Sequence, residues 1–204
     1  MNVEAIMRDG PVVPVLVIDD VAQARPIAEA LVAGGVRVLE VTLRTPAALD
    51  VIAAMSSVAG AIVGAGTVLN PTDLEAAINA GAKFIVSPGL TESLGRAAVA
   101  SGVPFLPGVA NAGDLMRGLD MGLTRFKLFP AMAAGGLPAL RALAAPFGNV
   151  RFCPTGGITL ATAPEWLAEA AVLCVGGSWI VPKGPLDVTT IEANARAAAA
   201  LVSG

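Results

Sequence analysis

The chain alternates short β-branched or apolar runs with alanine-rich stretches of helical length, and it does so eight times. The runs are Val12–Val17, Val36–Thr42, Ala61–Ala65, Phe84–Ser87, Val103–Leu106, Arg125–Phe129, Arg151–Pro154 and Val172–Gly176. Helices are expected near Val21–Ala33, Pro46–Ser57, Pro71–Ala80, Thr91–Ala100, Asn111–Met121, Gly136–Ala145, Thr159–Ala170 and Asp187–Val202, with a further short helix ahead of the first run. Strands alternating with helices point to a parallel sheet, since each helix supplies the crossover that parallel neighbours need. Three segments, Ala33-Gly34-Gly35-Val36, Ala80-Gly81-Ala82 and Ala100-Ser101-Gly102-Val103, stop a helix on glycine and enter a strand at once. Eight such units in 204 residues predict one domain over 1–204, a (β/α)8 TIM barrel at the small end of its size range. A doubly wound open sheet shows the same alternation and is the alternative.

Charge and hydropathy exclude several other classes. Residues 51–72 carry no charge, a length that can span a bilayer. Gly60, Gly64, Gly66 and Asn70-Pro71 interrupt that stretch, which therefore reads as a helix end, a turn, a strand and a loop, with no membrane span. The net charge of -3 and scattered basic residues give no nucleic-acid footprint. The start MNVEAIMRDG lacks the apolar core of a signal peptide, and two cysteines, Cys153 and Cys174, are too few for a disulfide framework. A cytoplasmic chain with both cysteines as buried small apolar residues is expected.

Within this frame one residue is out of place. The stretch TRFKLFPA puts Lys127 between Phe126 and Leu128. Strand alternation turns 126 and 128 to one face and 125, 127 and 129 to the other. If the apolar pair faces the helices, Lys127 faces the barrel interior. Of the three lysines, Lys83 stands at the wrong end of its strand and Lys183 lies in a Pro-Lys-Gly-Pro loop as a solvated charge. Only Lys127 has surroundings that would desolvate an amine and make it a nucleophile toward a carbonyl. The bland alternative is a buried ion pair with Glu40, which adds little to stability.

Catalytic groups of such barrels stand at the C-terminal ends of the strands. Those ends carry Glu40 and Arg44, Thr67, Pro88, Lys127 and Phe129, Thr155-Gly156-Gly157, and Gly177-Ser178. The chain has neither histidine nor tyrosine, which removes histidine triads and histidine-ligated metals. No metal or other cofactor is expected. Proton transfer falls to a carboxylate, a lysine, a hydroxyl or water. A carbonyl substrate held on lysine as an iminium fits that inventory, since the iminium is itself the electron sink. Glu40 can move protons, and Arg44 can hold a carboxylate in a two-point fork, unless it is an ordinary surface arginine. Glycine pairs after the last two strands suggest backbone N–H groups around a phosphate, with a tight turn as the other reading of each.

The segments GPVVPVLVI, ALVAGGVRVLEVTLRTP, GAGTVLNP, SPGLT, FKLFPA, VRFCPTGGI and VLCVGGSWIVP together resemble the class I aldolases of 2-dehydro-3-deoxy-6-phosphogluconate (KDPG) and 4-hydroxy-2-oxoglutarate (KHG). The resemblance runs from about Gly10 to Pro182. It implies a homotrimeric barrel of the Entner–Doudoroff route that splits KDPG into pyruvate and glyceraldehyde 3-phosphate, and that often splits KHG into pyruvate and glyoxylate. It implies Lys127 as Schiff-base lysine and Glu40 as acid–base group. It also implies Arg44 and Thr67 at the pyruvyl carboxylate, Pro88 and Phe129 as pocket walls, and Gly156, Gly157, Gly177 and Ser178 at the phosphate, with Thr155 at the same substrate-binding strand end. Asn111 departs from the Ser or Thr common in relatives and is expected to cap a helix equally well. Two other readings stay open: an aldolase of the galactonate epimer, from which Thr42-Leu43-Arg44 differs, and a non-enzymatic phosphate-binding barrel, which has no use for Lys127 beside Glu40.

Overall fold

The structure, a computed structural model, describes residues 1–201. It opens with a helix, α1 (Val3–Met7), followed by β1 (Val12–Leu16). A 3-10 turn (Val21–Gln23) leads into α2 (Ala24–Ala33), and then come β2 (Val38–Thr42), α3 (Ala48–Ser56), β3 (Ile62–Gly66) and α4 (Pro71–Asn79). β4 (Ile85–Val86), α5 (Glu92–Ser101), β5 (Phe105–Leu106), β6 (Gly108–Val109) and α6 (Ala112–Asp120) follow. The chain continues through β7 (Arg125–Leu128), α7 (Gly136–Ala144), β8 (Arg151–Pro154), α8 (Ala163–Leu167), β9 (Val175–Gly177) and α9 (Val188–Ala199).

Every ladder is parallel, as the alternation of strands and helices predicts. One sheet has the order β5-β4-β3-β2-β1-β9 and a second the order β6-β7-β8. Single bridges, Phe152 to Val172 and Thr155 to Gly176, connect β8 to the segment of β9. The expected fifth run, Val103–Leu106, is strand only over Phe105–Leu106 (β5), and beyond Pro107 comes a further short strand, β6, outside the expected run. A proline has no N–H to place in a ladder, yet its carbonyl still accepts from the Lys127 N–H at 2.9 Å. The expected eighth run is shifted, with Val172 making only its bridge and the ladder beginning at Val175.

The helices match expectation within a few residues, except two. The stretch expected as one helix from Val21 starts as a 3-10 turn capped by Asp20 and turns α-helical at Ala24, which places Pro26 in the first turn where its missing N–H costs nothing. The stretch Thr159–Ala170 is helical only over Ala163–Leu167. There Thr159 and Thr162 exchange hydroxyl and backbone hydrogen bonds and form a turn instead. Asn70, Thr91 and Asn111 cap α4, α5 and α6 with their side chains, so Asn111 does the work expected of it. Val202, the last residue of the expected final helix, lies outside the described residues.

Two apolar clusters flank the strands. The larger one joins helices to strands and contains Phe126, Leu128 and Phe152. The smaller lies on the other strand face and contains Val13, Val38, Phe84, Leu106, Cys153 and Cys174, with Ile6 and Met7 of α1 packed into it. The short first helix is therefore a plug for that inner cluster, pinned by Arg125 to Glu4 at 2.6 Å. Among the described residues, no helix is long and apolar enough to cross a membrane.

Candidate active site

Phe126 and Leu128 sit in the outer cluster, which leaves the alternate position of β7 facing inward. Lys127 occupies it, in register with Gly108 of β6 and Cys153 of β8. On β2, Leu39 and Val41 pack outward and Glu40 faces the same interior. Lys127 Nζ donates to Glu40 Oε1 at 2.9 Å, and the two side chains are only 6% and 4% exposed. Taking two charges out of water costs several kcal/mol per ion, and well-packed apolar residues of similar volume are often as stable or more so. Fold stability alone therefore gives little reason for this pair. Lys127 Nζ also lies 5.7 Å from the centre of the Phe129 ring, close enough for the ring face to attract its positive form.

Arg44 follows β2 and is exposed, with its Nε donating to Thr67 Oγ1 at 3.3 Å. Thr67, directly after β3, has φ of 58° and is the only non-glycine residue with positive φ among those described. A β-branched residue in the left-handed region costs energy, and such strain persists only where the surroundings impose it, most often at functional sites. The strained turn carries the Thr67 hydroxyl to the Arg44 side chain.

The glycines at the strand ends divide into two kinds. Gly156 and Gly157 have φ of 106° and 78°, which side-chain-bearing residues rarely adopt. They form the turn after β8, and a Cβ on Gly156 would come 3.5 Å from the Phe129 ring. Gly176 and Gly177 are extended, and their reason is close approach: Thr155 packs on the first and the Trp179 ring on the second. The pair at β9 thus has a packing role that sequence inspection did not separate from anion binding. Thr155 is buried and bridges to Gly176, and its Oγ1 donates to the Cys153 carbonyl at 3.3 Å. Pro88 is half-buried, with its carbonyl against Gly108. Ser178 is exposed and lines a cavity of about 560 Å³ together with Asp19, Asp20 and Lys183. Asp19 and Asp20 were not among the residues singled out, although they follow the first strand end, and Lys183 is exposed in its loop.

Cys153, the β8 partner of Lys127, and Cys174 both lie in the inner cluster, free and buried. The neighbouring Cys153 thiol, then burial, and finally the Glu40 charge push the Cys174 thiol well above its ordinary range. It stays protonated and serves as packing, in line with its reading as a small apolar residue. Gly66, whose role no local pattern reveals, lies against the Glu40 side chain.

Known proteins resemble the chain over nearly its whole length. A family model described as KDPG and KHG aldolase matches residues 3–195. The 2-dehydro-3-deoxy-phosphogluconate aldolase of Zymomonas mobilis is 60% identical over 98% of this chain and 96% of its own. A crystal structure of the enzyme from that organism with 3-phosphoglycerate superimposes with a TM-score of 0.97, covering 98% of this chain and 96% of that one. The KHG/KDPG aldolase of Escherichia coli is 52% identical over 100% of this chain and 96% of its own. A KDPG aldolase from Legionella pneumophila, solved with pyruvate captured at low pH as a covalent carbinolamine, is 43% identical with a TM-score of 0.93, covering 98% of this chain and 99% of that one. With the family model spanning nearly all of its length, the chain belongs to the KDPG and KHG aldolase family.

Proposed function

We propose that this chain is a class I aldolase that cleaves KDPG to pyruvate and glyceraldehyde 3-phosphate, and that it also cleaves KHG to pyruvate and glyoxylate. The observation that carries the reading is the buried Lys127–Glu40 contact. A proton passing from the amine to the carboxylate frees the lone pair of Nζ, which adds to the C2 carbonyl of the substrate. Glu40 then returns the proton as the carbinolamine loses water to give the iminium. The same carboxylate takes the C4 hydroxyl proton while the C3–C4 bond breaks, and its electron pair flows into the iminium to leave an enamine. Protonation of that enamine at C3 and hydrolysis release pyruvate and restore Lys127. The carbinolamine seen in the Legionella relative supports an amine as the attacking group.

The remaining side chains hold the substrate. Arg44, with Thr67 beside it, takes the pyruvyl carboxylate, and Pro88 and Phe129 form walls. The turn Thr155-Gly156-Gly157 and the pair Gly177-Ser178 take the phosphate by N–H groups and the Ser178 hydroxyl. Support comes from the positive φ of Gly156 and Gly157 and from the cavity at Ser178. The two sheets form one closed (β/α)8 barrel and one domain over the whole chain. The bridges from β8 to the segment of β9, and the single residue, Pro107, that separates β5 from β6, support closure. The working form is a cytoplasmic homotrimer, whose contacts would cover exposed apolar side chains such as Met116 and Met132. The reaction belongs to the Entner–Doudoroff route and needs no cofactor.

Incubation with pyruvate and borohydride tests the central assignment. A reduced adduct on the peptide that holds Lys127 is expected. Label on Lys83 or Lys183, or no label at all, would overturn it.

A further inference from the structure

We infer that Gly66 is a positioning residue for the proton-transfer step: the space left by its missing side chain is what lets the Glu40 carboxylate lean across β3 to reach Lys127. The inference rests on the role given to Glu40 above. Gly66 ends β3 and pairs with Thr42, two residues beyond Glu40 on β2. Its inward side has no atoms of its own. A Cβ built there would lie 2.6 Å from Glu40 Cγ and 2.8 Å from Glu40 Cδ, and closer still to Oε1, the oxygen that accepts from Lys127. All three nearest heavy atoms belong to Glu40.

The same device recurs one step down the strand. Gly64 also lacks an inward side chain, and the Phe84 ring fills that place, 2.5 Å from where a Cβ would stand. The inner face of β3 is thus hollowed at two levels and filled by its two neighbours in the sheet, the Phe84 ring from the β4 side and Glu40 from the β2 side. Backbone conformation does not explain Gly66, because it is absent from the glycines of positive φ. Close approach does. The obstructed atoms are the far end of a flexible side chain, so the cheapest response to an added methyl is for the carboxylate to move. It is almost fully buried, and any such movement takes it off the line to Nζ.

Gly66→Ala should therefore leave a folded chain in which pyruvate still binds but protons move slowly. A reacting group misplaced by about 1 Å can cost ~100-fold in rate. The expected result is a kcat fall of about that size with KM within about three-fold of the unsubstituted chain. Glu40→Ala provides the decisive background, since it removes both the base and the atoms that the methyl would meet. In Glu40→Ala, adding Gly66→Ala should change neither kcat nor Tm further, a coupling expected of residues in contact. Gly66→Ala with full turnover, or a loss that multiplies undiminished in the Glu40→Ala background, would overturn the inference. If Gly66→Ala alone fails to fold, a folded Gly66→Ala/Glu40→Ala double variant supports it and an unfolded one sinks it. Should Glu40→Ala itself keep normal turnover, the proton-shuttle reading fails, while the Tm comparison still decides whether Gly66 makes room for Glu40.

Discussion

Glu40 Oε1 and Lys127 Nζ meet at 2.9 Å although 87 residues separate them in the chain. Each comes from a different strand at an inward-facing position, and both are almost fully buried. If Glu40 carries the protons, Glu40→Gln keeps the shape and removes the base. General acid–base catalysis is typically worth ~10²–10⁴-fold. Turnover should fall by about that range while borohydride trapping of pyruvate on Lys127 continues at a reduced rate. Near-normal kcat would return Glu40 to the role of ion-pair partner.

Arg44 offers a fork that lysine cannot reproduce. It stands at the mouth, exposed, with a long hydrogen bond to Thr67. Arg44→Lys should raise KM for KDPG and KHG alike, by about ten-fold, because both present the same pyruvyl carboxylate and a charged hydrogen bond is worth ~1.5–3 kcal/mol. Steady-state kinetics on both substrates check this, and unchanged KM values would make Arg44 a surface residue.

If Ser178 helps to hold the phosphate, it discriminates between the two substrates, since only one carries that group. Ser178→Asp places a negative charge against that group. KM for KDPG should rise at least ten times more than KM for KHG, as like charges brought together cost energy. An equal effect on both would place the phosphate elsewhere.

Asp187 caps α9, accepting from the N–H groups of Thr189 and Thr190 and from the Thr190 hydroxyl at 2.6 Å. The Thr190 hydroxyl, followed by the Thr190 N–H and then the Thr189 N–H, holds its carboxyl below the ordinary value of 3.8. A lowered carboxyl favours the folded state fully above the unfolded value, and that contribution fades as pH falls through the folded value. Asp187→Ala should lower Tm by about 2–4 °C at pH 7. The gap between the two proteins should hold down to about pH 5 and close below about pH 4. A gap that persists unchanged at pH 3 would show that the carboxylate is not what stabilises the helix end.

Much of this was readable one residue at a time. The alternation of runs and helices predicted parallel strands, and the period of two along TRFKLFPA and VLEVTLRT predicted which side chains point inward. Both rest on local geometry, so Lys127 and Glu40 could be placed before any contact was known. Helix caps at Asn70, Thr91 and Asn111 are local for the same reason. Pro107 was visible too, but the further strand β6 beyond it depends on pairing with β7.

What the chain by itself determined, then, is the alternation of strands and helices, their parallel direction, the inward parity of Lys127 and Glu40, and the absence of histidine from any mechanism. The tertiary structure alone decided that Lys127 and Glu40 touch, that Thr67 is held at positive φ beside Arg44, and that Gly156 and Gly157 are glycines of conformation while Gly66, Gly176 and Gly177 are glycines of close approach. The reason is physical. Periodicity and capping act within a few residues, whereas a missing Cβ matters only through the atoms that another strand brings into its place.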